Sequence, residues 1–201
     1  EFGSGFKIAL RDLEIRGAGN VLGRQQHGHI ENVGYDMYLK LLRQCITDTQ
    51  EEQAEIELDI AADAYIPEKY IEDNAQRMKA YQRIASLEFG EKEEFISELN
   101  DIYGSPPQPV INLINIRLLK IAAKASGAKN IAIKHGSAAV TFEGLDILKD
   151  NDMLDAIEKN KQYCSIKLEQ HAQLLFKYKN TSAQTLIEVL TDFFYNIKGR
   201  K

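Results

Sequence analysis

The chain is poor in cysteine. Only Cys45 and Cys164 occur in 201 residues, with no CxxC pair and no histidine pair beside either. That spacing excludes a zinc site and leaves two ordinary thiols, as expected of a reduced cytoplasmic protein. Long apolar runs are also missing: none approaches the ~18 residues that a membrane span needs, so no membrane partner is expected. Residues 1–10 lack a basic start followed by an apolar core, so no secretory leader is expected either. There is no Gly-Lys-Ser/Thr, no defensible Ser-His-Asp order or carboxylate pair, no internal repeat and no low-complexity tract. These absences argue against a free-standing enzyme. What is present, 44% hydrophobic and 27% charged residues, is ordinary globular composition. The length suits one domain of usual size plus something extra.

Charge is unevenly placed. The net value is −5, but residues 1–45 hold six Lys/Arg and five Asp/Glu, whereas residues 48–73 hold ten acidic residues and one Lys. An acidic window of that kind cannot be a duplex-binding face, because phosphate contacts need Lys and Arg. It is either a solvated strand and helix start or a surface for a basic partner.

Periodicity divides the chain into three parts. Residues 1–46 form an arm: Phe6, Ala9, Leu10 and Leu13 recur at helical spacing, a polar loop follows to about Gly34, and Met37, Tyr38, Leu41, Leu42 and Cys45 mark a second helix. The arm has too few apolar residues for a core of its own. Residues 47–55, TDTQEEQAE, form a polar linker. Residues 56–201 form the main domain.

That domain opens on a strand alternating Ile56, Leu58 and Ile60 with acidic residues. Pro67 then suits the first turn of a helix burying Ile71, Ala75, Met78, Tyr81 and Ile84 or Ala85, and ended by Gly90. A shorter helix buries Phe95, Leu99 and Ile102 and stops at Gly104. After the turn SPPQP, a helix with Ile111, Ile114, Leu118, Ile121 and Ala125, and with Leu113 and Ile116 on its other faces, is apolar widely enough to be central. Residues 131–144 predict a hairpin around Gly136–Ser137 and residues 145–159 a helix through Leu145, Leu148, Met153, Leu154 and Ile157. Residues 163–179 predict a second hairpin across Gln170–Ala172. Thr181 and Gln184 resemble a capping box before a last helix with Leu186, Val189, Leu190, Phe193 and Ile197 inside. The fold class is therefore α+β: an N-terminal helix-loop-helix arm, then helices packed on a small, mostly antiparallel sheet.

The chemistry-bearing candidates lie in the arm. Gly17-x-Gly19-x-x-x-Gly23 has neither the spacing nor the strand-to-helix context of a dinucleotide loop, so its glycines serve a tight chain path. Arg11, Arg16, Arg24, Gln25, Gln26, His27 and His29 cluster there. Arg suits bidentate phosphate or carboxylate contacts and Gln suits backbone contacts. Asp12 and Glu14 can neutralise some of that charge, so composition leaves contact loop and structural loop equally open. His135 and His171 fall in or beside predicted turns and Glu91–Glu94 at a helix start, where acidic residues are favoured. The 17 Tyr and Phe fall at core spacing rather than as a base-stacking platform.

Two stretches carry a resemblance. LRDLEIRGAGNVLGRQQHGHIENVGYDMYLKLL, residues 10–42, resembles the TRG motif of the bacterial transcription-repair coupling factors (the Mfd family), shared in shorter form with the RecG fork-reversal translocase. DIAADAYIPEKYIEDNAQRMKAYQRIA, residues 59–85, resembles the opening of the C-terminal regulatory domain of the same family, which RecG lacks. Residues 128–201 agree in element pattern more than in motif.

Such proteins are ATP-driven translocases on double-stranded DNA that remove stalled RNA polymerase and recruit UvrA for nucleotide excision repair. The resemblance implies that the arm, residues 1–46, couples ATP hydrolysis to DNA movement. Arg16 and Gln26 would be its matching polar pair, and Arg11, Gly17, Gly19, Gly23 and Gly28 would shape its path. Residues 56–201 would mask the UvrA-binding module of the parent protein by intramolecular contact. With neither a Walker lysine nor a DExx box, the chain is expected to be a C-terminal piece of a longer protein, without catalytic residues, metal or cofactor of its own. ATP and Mg would belong to the parent motor. The competing expectation is an independent DNA-binding module using the Arg/Gln loop.

Overall fold

A computed structural model describes residues 56–198. The expected arm, linker and Arg/Gln loop lie outside the described residues. Among the described residues, five helices pack on a five-stranded mixed sheet of order β1-β2-β3-β5-β4. The strands are β1 (Glu57–Ile60), β2 (Ala128–Lys134), β3 (Ser137–Phe142), β4 (Cys164–Leu168) and β5 (Ala172–Lys177). The helices are α1 (Asn74–Ser86), α2 (Lys92–Tyr103), α3 (Gln108–Ala125), α4 (Asn151–Lys159) and α5 (Ala183–Lys198). β1 runs parallel to β2, across a crossover that holds α1, α2 and α3; the remaining pairings are antiparallel. This is the expected α+β class.

The core lies between the helices and one face of the sheet. Ile131, Ile133, Val140, Leu174 and Phe176 project inward from the strands, against Leu113, Ile114 and Leu119 of α3 and Leu186, Leu190 and Phe194 of α5. The opposite sheet face carries short or polar residues apart from Leu175. One cross-strand row reads Asp59, Ala132, Ala139, Leu175, Ser165. Alternation in a strand puts successive side chains on opposite faces, so polar residues between the inward ones are what a one-sided sheet requires.

Helix α3 is central, as its breadth of apolar residues predicts: Leu113, Ile114, Leu119 and Ala123 are fully buried. Gly104 and Gly127 end α2 and α3 with φ of 81° and 82°, a conformation that glycine adopts without steric cost.

Several local expectations are corrected, each by a hydrogen-bonding group that wins the helix end. Pro67 does not begin α1. It opens a turn closed by Tyr70 N donating to the Pro67 carbonyl at 2.9 Å. α1 starts at Asn74, because the Asp73 carboxylate accepts from Gln76 N at 2.8 Å. Ile71 is buried from that turn, while Ala75 is exposed. Leu87, not Gly90, follows the last residue of α1, and Gly90 lies in a short 3-10 turn. The helix expected over 145–159 is broken at Asp150. A 3-10 turn over Asp146–Lys149 precedes α4, and the Asp150 side chain caps α4 by accepting from Met153 N at 3.2 Å. Leu145, Leu148 and Leu154 are consequently exposed. The cap of α5 is Ser182, whose hydroxyl accepts from Thr185 N, while the Thr181 hydroxyl donates to the Lys179 carbonyl.

The first hairpin turns at His135–Gly136, one residue earlier than expected, with Lys134 paired to Ser137. Gly136 has φ of 73°, and a Cβ there would lie 3.0 Å from the Tyr178 carbonyl oxygen, so only glycine fits the turn. Ile102 is 68% exposed instead of buried, and Ala125 is also exposed. Periodicity marks the apolar side of a helix, but it does not show where that helix leaves the domain.

Candidate interaction surface

Arg11, Arg16, Gly17, Gly19, Gly23, Gln26 and Gly28 all lie outside the described residues. The described surface is that of the main domain, and its charge is segregated. Residues 56–103 hold 12 Asp/Glu against 5 Lys/Arg, and residues 104–198 hold 9 against 12. The acidic part includes the exposed Glu57, Asp59, Asp63, Glu68, Glu72 and Asp73 on β1 and the segment leading into α1.

The local arginines are committed to internal contacts. Arg83 grips Glu91 through both guanidinium nitrogens at 3.1 and 3.2 Å, and its guanidinium lies 5.9 Å from the centre of the Phe95 ring. The Arg83 hydrogen bonds, with a further one from Glu88 N, hold the Glu91 carboxyl below its ordinary range. Arg77 donates to the Ile71 carbonyl at 2.8 Å and to Asn74, and lies 3.6 Å from Glu68. Asp59, Asp63 and Glu72 have no salt-bridge partner among the described residues. Within the described part of the acidic window, residues 56–73, the exposed carboxylates of Asp59, Asp63 and Glu72 therefore face solvent without a paired cation.

Two long-range hydrogen bonds fix the segment after β1 to the helices. Ile66 N donates to the Tyr81 hydroxyl at 2.8 Å, and the buried Asn112 donates to the Asp63 carbonyl at 2.8 Å. The Tyr81 pKa is raised, chiefly by burial, so the hydroxyl keeps its proton. Sequence patterning missed Asn112 altogether. A polar residue at an inward position of an apolar helix was the signal that could have found it, since a buried amide needs partners.

The remaining candidates are structural. His135 and His171 are exposed turn residues, and His171 Nδ1 accepts from Gly144 N at 3.0 Å. Among the described residues no group of three or more His, Cys, Asp or Glu could hold a metal ion, and no helix is long and apolar enough to cross a membrane. Cys164 is buried at the start of β4, and burial pushes its thiol up to about 11. Only the thiolate attacks disulfide reagents. Reaction of Cys164 with a chromogenic disulfide at neutral pH is therefore expected to be at least about a hundredfold slower in the folded chain than in denaturant. Cys45→Ser isolates this signal, and equal rates in both states would contradict the buried placement.

Comparison with known proteins assigns the fold. Residues 60–153 match the family model described as the TRCF domain. A solved structure described as the C-terminal domain of transcription-repair coupling factor superposes with a TM-score of 0.62 at 22% identity, covering 76% of this chain and 99% of that one. At that identity it speaks for the fold alone. Within the α+β domain, the stretch that matches the TRCF model thus includes most of the acidic face and the helices α1 to α3.

Curated relatives agree. The transcription-repair-coupling factor of Bacillus subtilis is 45% identical over 130 residues, covering 62% of this chain and 11% of the relative. That of Borreliella burgdorferi is 29% identical over 185 residues, covering 90% of this chain and 16% of the relative. That of Staphylococcus aureus is 40% identical over 134 residues, covering 63% and 12%. The chain is similar to these transcription-repair-coupling factors, and it spans between about a ninth and a sixth of their length.

Proposed function

We propose that the chain serves as the coupling and regulatory end of an ATP-driven DNA translocase that links transcription to nucleotide excision repair. In this reading residues 1–46 transmit ATP hydrolysis in the motor to movement on double-stranded DNA, through Arg16 and Gln26. Residues 56–201 bind the UvrA-recruiting module of the same parent protein and mask it until the motor engages a stalled RNA polymerase. The chain itself supplies no catalytic centre; ATP and Mg belong to the motor.

The observation that carries this reading is the match to the Borreliella relative over 185 residues, which is long enough to run through both the arm and the domain. The uncompensated carboxylates of β1 and the following segment support the masking role, since charge complementarity gives a protein contact its specificity and its sensitivity to salt. The same face opposes duplex binding by the domain, which disfavours the independent DNA-binding reading.

The test is calorimetric. The 201-residue chain is titrated with the isolated UvrA-binding module of its parent protein, at low and at physiological salt. Binding is expected at low salt and should weaken as salt is raised. Asp59→Asn with Glu72→Gln should lower affinity by about tenfold, because both charges lie on the proposed contact face. No heat at low salt, or a double variant that binds like the parent chain, would sink the masking role.

A further inference from the structure

We propose that the groove between α4 and α5 is a docking site for a basic amphipathic helix of a partner protein. The groove has a volume of about 710 Å³. α4 lines it with Asp152, Asp155, Ala156 and Lys159, and α5 with Val189, Asp192, Phe193 and Asn196. Each set is spaced i, i+3, i+4, i+7, so each helix turns one complete stripe toward the groove. Two facing stripes with a channel between them form the receptor half of a helix-in-groove contact, whose ligand supplies the third stripe.

The chemistry of the stripes selects the ligand. Ala156, Val189 and Phe193 make an apolar floor, and Ala156 and Val189 remain half-exposed although α5 is otherwise well buried on its inward side. Asp152, Asp155 and Asp192 stand exposed on the rim, and none has a salt-bridge partner among the described residues. Lys159 is the one cation lining the groove among the described residues, one turn beyond Asp155. A neutral apolar helix would leave the three carboxylates facing its backbone without partners, and an acidic one would be repelled. A helix with one apolar stripe flanked by Lys or Arg satisfies floor and rim together. With nine residues, α4 is ~13 Å long, so the groove accommodates between two and three turns of such a helix. This surface lies on different elements from the carboxylates of β1 and does not depend on the masking role.

The test uses the full 201-residue chain and a synthetic, fluorescently labelled helix of about 14 residues carrying Leu at i, i+3, i+4 and i+7 with Lys on both flanks. Two control peptides are used: one with the same composition but scattered leucines, and one with Glu for Lys. Saturable binding of the amphipathic Lys peptide is expected, with amide shifts in NMR spectra concentrated on α4 and α5. Asp155→Asn with Asp192→Asn should weaken binding about fivefold, since each is an exposed rim charge. Val189→Arg should weaken it more than about tenfold by placing a cation on the floor. All three positions are exposed or half-exposed, so circular dichroism should show an unchanged fold. The proposal is overturned if the scattered peptide binds as tightly, if the carboxylate variant binds unchanged, if shifts fall on residues 57–73 instead, or if the Lys peptide does not bind.

Discussion

Phe194→Ala is expected to destabilise the main domain by about 3–5 kcal/mol, the range for removing a buried aromatic ring. Phe194 is fully buried on α5, where its ring meets Phe193 edge-on at 5.2 Å and Phe142 of β3 at 6.4 Å. It therefore joins the last helix to the middle of the sheet, and α5 also packs along α3. Two costs add on truncation: the transfer free energy of the ring, and the cavity left where α3 and the sheet hold their positions. A chain of this size typically holds a net stability of about 5–15 kcal/mol, so the loss would be a large fraction of the whole. Urea unfolding followed by circular dichroism measures it. Ile102→Ala is the control, because Ile102 is 68% exposed and its truncation should cost less than about 0.5 kcal/mol. Equal midpoints for the two variants would contradict the placement of α5.

The contrast between those two residues shows what patterning could and could not provide. Leu99 and Ile102 are neighbours on one side of a helical wheel, so sequence periodicity places both inward. In the fold α2 passes the edge of the core, and only Phe95 and Leu99 meet it. The class of fold was legible because its signals are redundant: three long apolar stripes, two runs of alternating residues, and glycines at 104, 127 and 136 that stop or turn the chain. The helix starts were less legible because several groups compete locally. Asp73 won over Pro67, Asp150 interrupted a pattern that read as one helix, and Ser182 capped α5 in place of its neighbour Thr181. A cap is decided by one side chain reaching one amide, and a sequence offers two or three candidates at each end.

The interaction surfaces were legible to a different degree. The acidic window stands out by composition alone, and the fold leaves the carboxylates of its described part, residues 56–73, exposed. The groove between α4 and α5 was hidden for two reasons. Its two stripes are 30 residues apart or more in sequence, and Val189 falls on an α5 stripe that periodicity assigns wholly to the interior. Only the spacing of α4 from α5 reveals that the stripe is half-open. The Arg/Gln loop is the reverse case: its motif is the strongest in the sequence, and it lies outside the described residues.

Asn112→Ala is expected to cost about 1–3 kcal/mol and to loosen the acidic edge more than the core, since breaking a buried hydrogen bond leaves the remaining group desolvated and unpaired. Asn112 is 2% exposed on α3, where its amide nitrogen donates to the Asp63 carbonyl and its oxygen accepts from the Gln108 side chain at 2.9 Å. Together with Ile66 N on the Tyr81 hydroxyl, this bond fastens the segment that follows β1 to the helical layer. Among the described residues β1 is a short edge strand of four residues that pairs with β2, so the two anchors add restraint to a short ladder. Native-state hydrogen exchange separates local from global effects. In Asn112→Ala the amides of residues 57–66 should exchange faster by about tenfold or more, while those of β3 and β5 follow only the global loss. Tyr81→Phe removes the second anchor without emptying the site and should act on the same segment. Because the two anchors restrain one stretch of chain, the double variant should fall short of or exceed the sum of the single effects. Strict additivity would mean that the segment is held elsewhere. The same restraint connects stability to function: Asp59 and Asp63 can present a fixed array of charge to a partner only while β1 and its following turn are held against α3 and α1. Under the proposed masking role, Asn112→Ala should therefore weaken binding of the UvrA-recruiting module without altering any charge, whereas Gln108→Ala, which removes only the exposed partner of Asn112, should leave binding close to that of the parent chain.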